Sequence, residues 1–207
     1  MQTNIIVATN NIGKATEIKH FFGPCFNVLS LSDISIDVDL DAVEDGDTFV
    51  DNAIKKAEFV KDVLKGSNYR DFLVLADDSG IEIDALGGKP GVDSANFLGR
   101  ETPYAKRFEH ILSEMDDLPV EERAARFVCI MALVCPCDSI HTFRATLGGY
   151  IAYEPQGEQG FGYDPILVVP QYNKTTAMLD IEQKNAISHR GRALTLVLEH
   201  LDCGSKL

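Results

Sequence analysis

Apolar residues along the chain fall either into short uninterrupted runs or at positions three or four apart. The run 5–8 predicts a strand, and the segment 15–22 carries apolar residues at helical spacing. A second helix is predicted after Thr48, which with Asp51 forms the pattern of a capping box. Further strands are expected at 72–76, 81–84, 127–134, 142–147 and 166–169, and further helices after Pro103 and over 188–201. Because strands and helices interleave throughout, the sequence predicts an α/β fold with a mixed sheet.

Composition narrows the class of protein. With 207 residues, 45% of them hydrophobic, the chain suits one core, so a single domain over residues 1–207 is predicted. The net charge of -13 would repel a nucleic-acid backbone, although a small anion can still bind where local donors reverse the potential. No signal segment or membrane-spanning run is evident, so we expect a soluble, cytoplasmic protein with no membrane or nucleic-acid partner. Five cysteines without Cys-x-x-Cys spacing support neither a disulfide framework nor a zinc site.

Two adjacent carboxylates, Asp77 and Asp78, directly follow the apolar run 72–76 and precede Ser79 and Gly80. Carboxylates at a strand end beside a turn glycine can face a cleft and hold a hard cation. Taken alone, the segment is better interpreted as an Asp-rich turn. Its chemical meaning therefore depends on the motifs that accompany it.

Three other segments carry groups suited to a nucleotide. Residues 9–14 lie between the first strand and the first helix, where free N–H groups, the helix dipole and Lys14 favour an anion, although an ordinary turn with a surface lysine fits equally well. Glycines flank Phe161, whose ring could stack on a base or tuck into the core. Ser188 is a candidate N-cap, which places His189 and Arg190 in the first helical turn, either as donors to an oxygen-rich ligand or simply solvated.

Taken together and in order, five motifs closely resemble those of the inosine triphosphate pyrophosphatase family. They are ATNNIGK at 8–14, TFVDNA at 48–53, LADDSG at 75–80, GFGYDP at 160–165 and ISHRG at 187–191. The resemblance extends from residue 5 to about residue 200. It implies a two-lobed α/β fold with a central substrate cleft, Mg²⁺ dependence and a homodimer. The implied reaction converts ITP, dITP or XTP to the monophosphate and pyrophosphate, which cleanses the nucleotide pool.

By position within the motifs, the resemblance also implies roles for individual residues. Asp78 would be the catalytic proton acceptor and, with Glu44, would hold the metal ion. Glu44 lies in an acidic run where Asp41, Asp45 or Asp47 could take its place. The residues implied to cradle the triphosphate are Thr9, Asn10, Asn11, Ile12, Gly13 and Lys14. The other implied substrate-binding residues are Ser79, Phe161, Gly162, Tyr163, Asp164, Lys184, His189 and Arg190.

The implied chemistry agrees with the residue types. A triphosphate repels an incoming hydroxide unless a cation neutralises its oxygens, and Mg²⁺ prefers one or two carboxylates with phosphate oxygens and waters. Hypoxanthine and xanthine present a carbonyl at position 6, where adenine has an amino group. Donors from His189 or Arg190 would therefore favour the first two, since an unmet buried donor costs about 1 to 3 kcal/mol. Nothing in the sequence indicates how guanine is rejected.

Three alternatives remain open at this point. A Maf-type pyrophosphatase would act on pyrimidine or modified nucleotides, but its first loop is rich in Ser and Arg, unlike residues 9–14. A regulatory module would bind a triphosphate without cleaving it. A scaffold that uses its acidic surface would bind no nucleotide at all.

Overall fold

The computed structural model describes residues 2–204, apart from the side chains of Ile181 and Cys203. Met1 and residues 205–207, the two ends of the predicted domain, lie outside the described residues. The strands are β1 Thr3–Val7, β2 Phe26–Ser30, β3 Leu73–Ile83, β4 Ala124–Val134, β5 Ile140–Ile151, β6 Leu167–Val169 and β7 Lys174–Thr175. The helices are α1 Ile12–Phe22, α2 Phe49–Leu64, α3 Tyr104–Glu114, α4 Ile181–Ile187 and α5 His189–Gly204.

The strands form a mixed sheet in the order β2-β1-β3-β4-β5-β6-β7. Strand β1 pairs in parallel with both β2 and β3, whereas β6 pairs antiparallel with β5 and with β7. Helices connect or follow these strands along the chain, so the predicted α/β class with a mixed sheet and flanking helices is confirmed. No helix among residues 2–204 is both long enough and apolar enough to cross a bilayer.

The chain divides into two compact units, each with its own buried apolar side chains. The first comprises Met1–Asp78, Cys129–Arg144 and Ala193–Leu207, and the second Ser79–Val128 and Ala145–Arg192. In the first unit, α1 buries Ile18 and Phe22, and α2 buries Val60 and Leu64. The core of the second unit includes Ile81, Ile83, Phe108, Ile111, Leu147 and Ile166. The single domain over 1–207 stays a prediction.

Two helix starts show how the local sequence sets the element boundaries. The Thr48 hydroxyl accepts a hydrogen bond from the Asp51 N–H at 3.1 Å, so α2 begins where its cap predicts. Helix α1 begins at Ile12, three residues earlier than its apolar spacing indicates, because the Asn11 side chain accepts from the Lys14 N–H at 3.1 Å. Gly13 and Lys14 are therefore in the first turn of a helix and not in the preceding loop.

The prediction of a turn at Asp77–Gly80 is wrong. Strand β3 runs without interruption from Leu73 to Ile83, and Asp77 and Asp78 inside it are only 1% and 7% exposed. Gly80 serves a close approach of two chain segments. A Cβ there would overlap the Ser94 hydroxyl and lie 2.5 Å from the Gly91 carbonyl oxygen. A strand can continue through two aspartates because lysines neutralise their buried charges, as the next section describes.

Candidate active site

In the first unit, each of the two aspartates of β3 meets a lysine. Successive side chains of a strand point to opposite faces, which separates Asp77 from Asp78. Lys14 Nζ lies 3.1 Å from Asp77 Oδ2. Lys56 Nζ lies 2.9 Å from Asp78 Oδ1 and 2.5 Å from Glu44 Oε1. The lysine of α2 thus joins the two carboxylates for which the resemblance implies metal binding.

Strand register and a buried amide explain this arrangement. Strand β1 pairs with β3 so that Val7 is opposite Leu75, and the Ala8 N–H donates to the Leu75 carbonyl at 2.8 Å. The chain that leaves β1 therefore passes beside Asp77. On the other side, Asn52 of α2 accepts from the Gly46 N–H at 2.7 Å, which ties the acidic segment to the helix that carries Lys56.

The cluster shifts the pKa values of two groups. Burial disfavours the charge of Lys56, but the attraction of Asp78, Asp77 and Glu44 outweighs it and raises the pKa of Lys56 above its usual value. Burial also raises the pKa of Asp78, against the opposing attraction of Lys56 and Lys14. Lys56 is therefore a stable ammonium, and Asp78 accepts a proton more readily than an exposed aspartate does.

One oxygen of Asp78 is available for chemistry. Oδ1 is held by Lys56, whereas Oδ2 is buried and makes no hydrogen bond to any group in the described part of the chain. A buried carboxylate oxygen without a donor is costly unless a ligand, a proton or a metal ion completes it. Asp78 Oδ2 can therefore accept a proton from a bound water or contribute to a cation site.

The carboxylates of Glu44 and Asp78 suit a Mg²⁺ ion that takes its remaining ligands from waters and phosphate oxygens. They do not suit a metal ion coordinated by protein side chains alone. Among residues 2–204, no group of three or more His, Cys, Asp and Glu side chains is arranged to hold a metal ion. Glu44 and Asp78 nevertheless share one cation, the Lys56 ammonium, and Asp78 has the buried oxygen described above. Mg²⁺ commonly takes one or two carboxylates and completes its shell with waters and substrate phosphates. Asp77 points to the other face of β3 and suits Lys14 instead.

Residues 9–14 lie together at the start of α1, beside a pocket of about 500 Å³. Thr9, Asn10, Asn11 and Ile12 line one wall, and residues between Ser30 and Asp37 line the other. The loop is held by its own side chains: Thr9 accepts from the Asn11 N–H at 3.1 Å, and the Asn10 amide donates to the Val38 carbonyl at 2.8 Å. The start of a helix can bind an anion, so the anion site over residues 9–14 stays a prediction.

In the second unit, four of the predicted substrate-binding side chains lie close together: Phe161, Lys184, Arg190 and Ser79. Phe161 is 38% exposed, with Lys184 Nζ at 5.3 Å and Arg190 Cζ at 5.4 Å from the ring centroid. Arg190 Nη2 also donates to the Ser79 hydroxyl at 3.1 Å. An accessible ring can stack on a purine, and the two cations beside it can donate hydrogen bonds to the carbonyl oxygens of that purine.

His189 and Tyr163 are placed by neighbours that the sequence does not reveal. The ring of His189 stacks on Phe127, with centroids 4.9 Å apart. Tyr163 is buried, and its hydroxyl donates to the Ser94 carbonyl at 2.9 Å. Burial raises the pKa of Tyr163 to about 12, against the influence of Arg107. Tyr163 therefore anchors the loop that carries Phe161, whereas the ring of Phe161 remains accessible.

Sequence reasoning missed Lys56 and Phe127. Lys56 is 3% exposed and lies on the same buried face of α2 as Ala53, Ala57 and Val60. A lysine on an apolar helix face signals a buried partner, and this signal could have been found in the sequence. Phe127 is one apolar residue in a long apolar strand, and nothing in its pattern marks it as the support of His189.

Comparisons with known proteins give one consistent result. The Ham1 family model matches residues 5–200, the same span as the resemblance described above. A dITP/XTP pyrophosphatase of Desulforamulus reducens is 43% identical over 199 residues, covering 96% of this chain and 95% of the relative. One of Geobacter sulfurreducens is 44% identical over 200 residues, covering 96% of each.

Two solved structures extend the likeness to the fold. The Ham1 protein of Staphylococcus aureus superposes with a TM-score of 0.84 at 38% identity, covering 98% of this chain and all of that one (100%). A HAM1 protein from Coxiella burnetii gives a TM-score of 0.81 at 35% identity, covering 97% and 99%.

Proposed function

Because this chain belongs to the Ham1 family, we propose that it hydrolyses the non-standard purine nucleoside triphosphates dITP, XTP and ITP to the monophosphate and pyrophosphate. The family resemblance predicted from the five motifs is thereby confirmed. The relatives described above are named dITP/XTP pyrophosphatases, which supports the purine reaction over the Maf-type alternative. The structural observation that supports the proposal most directly is the buried Asp78, with one oxygen held by Lys56 and the other open to a ligand.

In the proposed reaction, Asp78 accepts a proton from a water molecule whose oxygen attacks the α-phosphorus. The bond from that phosphorus to the oxygen that bridges to the β-phosphate breaks, and pyrophosphate leaves. Lys56 holds Asp78 Oδ1, so Oδ2 is the oxygen that takes the proton. The raised pKa of Asp78 suits this task, since a positioned base contributes about a hundredfold or more to the rate.

We propose Mg²⁺ as the cofactor, with Glu44 and Asp78 as the protein ligands. When bound, it would neutralise the phosphate oxygens that otherwise repel the attacking water. The dependence on Mg²⁺ is supported by the donor set and by the family resemblance. A direct check is to compare turnover with Mg²⁺, with Ca²⁺ and with chelator, where we expect activity only with the smaller ion.

The other predicted residues have two proposed roles. Thr9, Asn10, Asn11, Ile12, Gly13 and Lys14 would bind the triphosphate through first-turn N–H groups and the lysine charge. Phe161 would stack on the purine. His189 and Arg190 would donate to the 6-carbonyl, and against the 6-amino group of adenine those donors would stay unmet at a cost of about 1 to 3 kcal/mol.

We also propose that the enzyme is a homodimer and acts in the cytoplasm. The dimer is supported by the family resemblance alone, and light scattering coupled to size exclusion tests it. The cytoplasm is where a nucleotide-pool enzyme meets its substrates.

The function is tested by incubating the purified protein and Mg²⁺ with ITP, dITP, XTP, ATP, GTP and dTTP, and measuring pyrophosphate against orthophosphate. We expect pyrophosphate from the first three and little from the others. Hydrolysis of dTTP but not of dITP would favour the Maf-type alternative. Binding without turnover would favour a regulatory module, and no binding at all a scaffold.

A further inference from the structure

We propose that Asp164 is a positioning residue for purine recognition, which holds Phe161 and Lys184 in place through one carboxylate and does not itself contact the purine. The inference rests on the proposed function and deepens it. It also revises the implication of the resemblance, which places Asp164 among the substrate-binding residues.

Both oxygens of Asp164 are occupied by donors from the protein. Oδ2 accepts from the Phe161 N–H at 2.8 Å and from Lys184 Nζ at 2.7 Å. Oδ1 accepts from the Thr176 hydroxyl at 2.8 Å. The residue is 4% exposed, so the carboxylate faces the protein interior. A carboxylate that is buried and bonded on both oxygens has little capacity left for a ligand.

The loop that carries Phe161 packs closely against the Asp164 carboxylate. Gly160 has φ 80° and Gly162 has φ 63°, values that favour glycine. A Cβ on Gly160 would lie 2.9 Å from the Asp164 carboxyl carbon and 2.8 Å from Lys184 Nζ. The backbone directly before Phe161 is therefore packed tightly against Asp164, and this contact constrains the position from which the aromatic ring extends.

The carboxylate of Asp164 also offsets positive charge beside Phe161. Lys184 and Arg190 both lie near the ring of Phe161, at 5.3 Å and 5.4 Å from its centroid. Two cations so placed repel each other, and the effect grows where water is largely excluded. The negative charge of Asp164 offsets Lys184 and fixes its long side chain beside the ring. Asp164 thus holds the ring of Phe161 and the ammonium group of Lys184 in a fixed position relative to each other.

A double-mutant cycle separates positioning from direct contact. Asp164→Asn keeps the size of the side chain but removes its charge, and Lys184→Met removes the partner. We expect each variant to raise the KM for dITP by about tenfold to a hundredfold with a much smaller change in kcat. If Asp164 acts through Lys184, the double variant will show far less than the product of the two factors. A full product of the two factors would mean that Asp164 contacts the purine independently, and would overturn the proposal.

A spectroscopic reporter tests the same idea without substrate. The chain has no tryptophan, so Phe161→Trp introduces a single indole at the ring position. We expect high fluorescence anisotropy in this variant and lower anisotropy when Asp164→Asn is added. Asp116→Asn, an exposed change on the same unit, is the matched control and should leave the anisotropy unchanged. Equal anisotropy with and without the Asp164 change would overturn the proposal.

Thr176→Val supplies a second variant should Asp164→Asn fail to fold. It removes the donor to Oδ1 and leaves the ion pair with Lys184 in place. We expect it to lower the anisotropy and raise the KM in the same direction by a smaller factor, and no change in either would count against the proposal. If the unmodified enzyme does not cleave dITP, the proposed function fails, while the anisotropy still decides whether Asp164 positions residue 161.

Discussion

Lys56 Nζ lies 2.9 Å from Asp78 Oδ1, and both side chains are buried. The same ammonium lies 2.5 Å from Glu44 Oε1, so it neutralises two carboxylates at once. Removing it leaves these negative charges close together and largely out of water. The stability of the first unit and its response to divalent cations therefore depend on this one lysine.

Lys56→Met should lower the free energy of unfolding by about 3 kcal/mol, the usual scale for breaking a buried ion pair. If Glu44 and Asp78 hold Mg²⁺, added Mg²⁺ should restore part of this loss in the variant. Urea denaturation with and without Mg²⁺ measures both effects. Lys55→Met is the matched control, since Lys55 is an exposed neighbour paired with Asp45 and should matter little. Equal losses in the two variants would refute the role given to Lys56.

Asp78→Asn should reduce kcat by at least about a hundredfold while the fold remains intact, because the proton acceptor is lost. Circular dichroism and pyrophosphate release provide the two measurements. Asp77→Asn is the comparison, since Asp77 lies on the other face of β3 and contacts Lys14. It should act mainly through KM, because Lys14 would be less firmly placed for the triphosphate. Near-full activity of the Asp78 variant would contradict the assignment.

Gly80→Ala should destabilise the protein by about 1 to 3 kcal/mol, the usual range for overpacking. The added methyl group would meet the Ser94 hydroxyl and the Gly91 carbonyl oxygen at 2.5 Å. Thermal denaturation of the variant checks this value. Gly66→Ala is the control, since nothing lies within 4 Å of a Cβ at that position. An unchanged stability of Gly80→Ala would contradict the prediction and show that the Gly91–Ser94 segment can move aside at little cost.

Asp33 should contribute to stability in a pH-dependent way. The hydrogen bonds from Lys19 and from the Ser30 N–H and hydroxyl lower its pKa from 3.8 to about 2. Its contribution is complete above 3.8 and is lost as the pH falls through 2. Because the side chain is 38% exposed, solvent screening reduces the contribution to about 1 kcal/mol.

Asp33→Asn should therefore be less stable than the unmodified protein at neutral pH, with the difference closing in acid. Urea denaturation across the acid range measures the difference. Asp71→Asn, at an exposed aspartate beside Arg70, is the control and should change the free energy of unfolding little. A difference for Asp33→Asn that persisted in strong acid would contradict the explanation.

Elements whose signals are local were predictable from the sequence. Helix α2 has its Thr48 cap and an apolar face with regular spacing, and both hold in the structure. Helix α4 was missed, although its Asp180 and Gln183 form a readable capping box. Strand β7 has only two residues and no pattern to detect. Strand β2 was also missed, since four of its five residues are only partly buried and give no clear alternation.

In the candidate site too, features with a local sequence signal were predictable and contacts between distant residues were not. The motifs led to Asp78, Phe161 and Arg190, but their pairing depends on side chains that are distant in sequence. Taken alone, the sequence favours a turn at Asp77 and Asp78, because two adjacent charges rarely occur inside a buried strand. Their neutralising lysines come from other elements, α1 and α2, and only the folded chain brings them together. The positioning role that we propose for Asp164 is hidden from the sequence for a related reason, since its partners Lys184 and Thr176 lie on separate segments.

The unbroken course of β3 also limits how the length of this chain can change over evolution. Deleting or inserting one residue between Leu73 and Asp77 would shift the following side chains to the opposite face, so that each aspartate would face the wrong lysine. By contrast, the tight connection after β4, closed by the Cys135 N–H to the Ser139 carbonyl at 2.9 Å, carries exposed residues at its tip. Gene variants with altered spacing should therefore survive at 136–138 and be eliminated within β3.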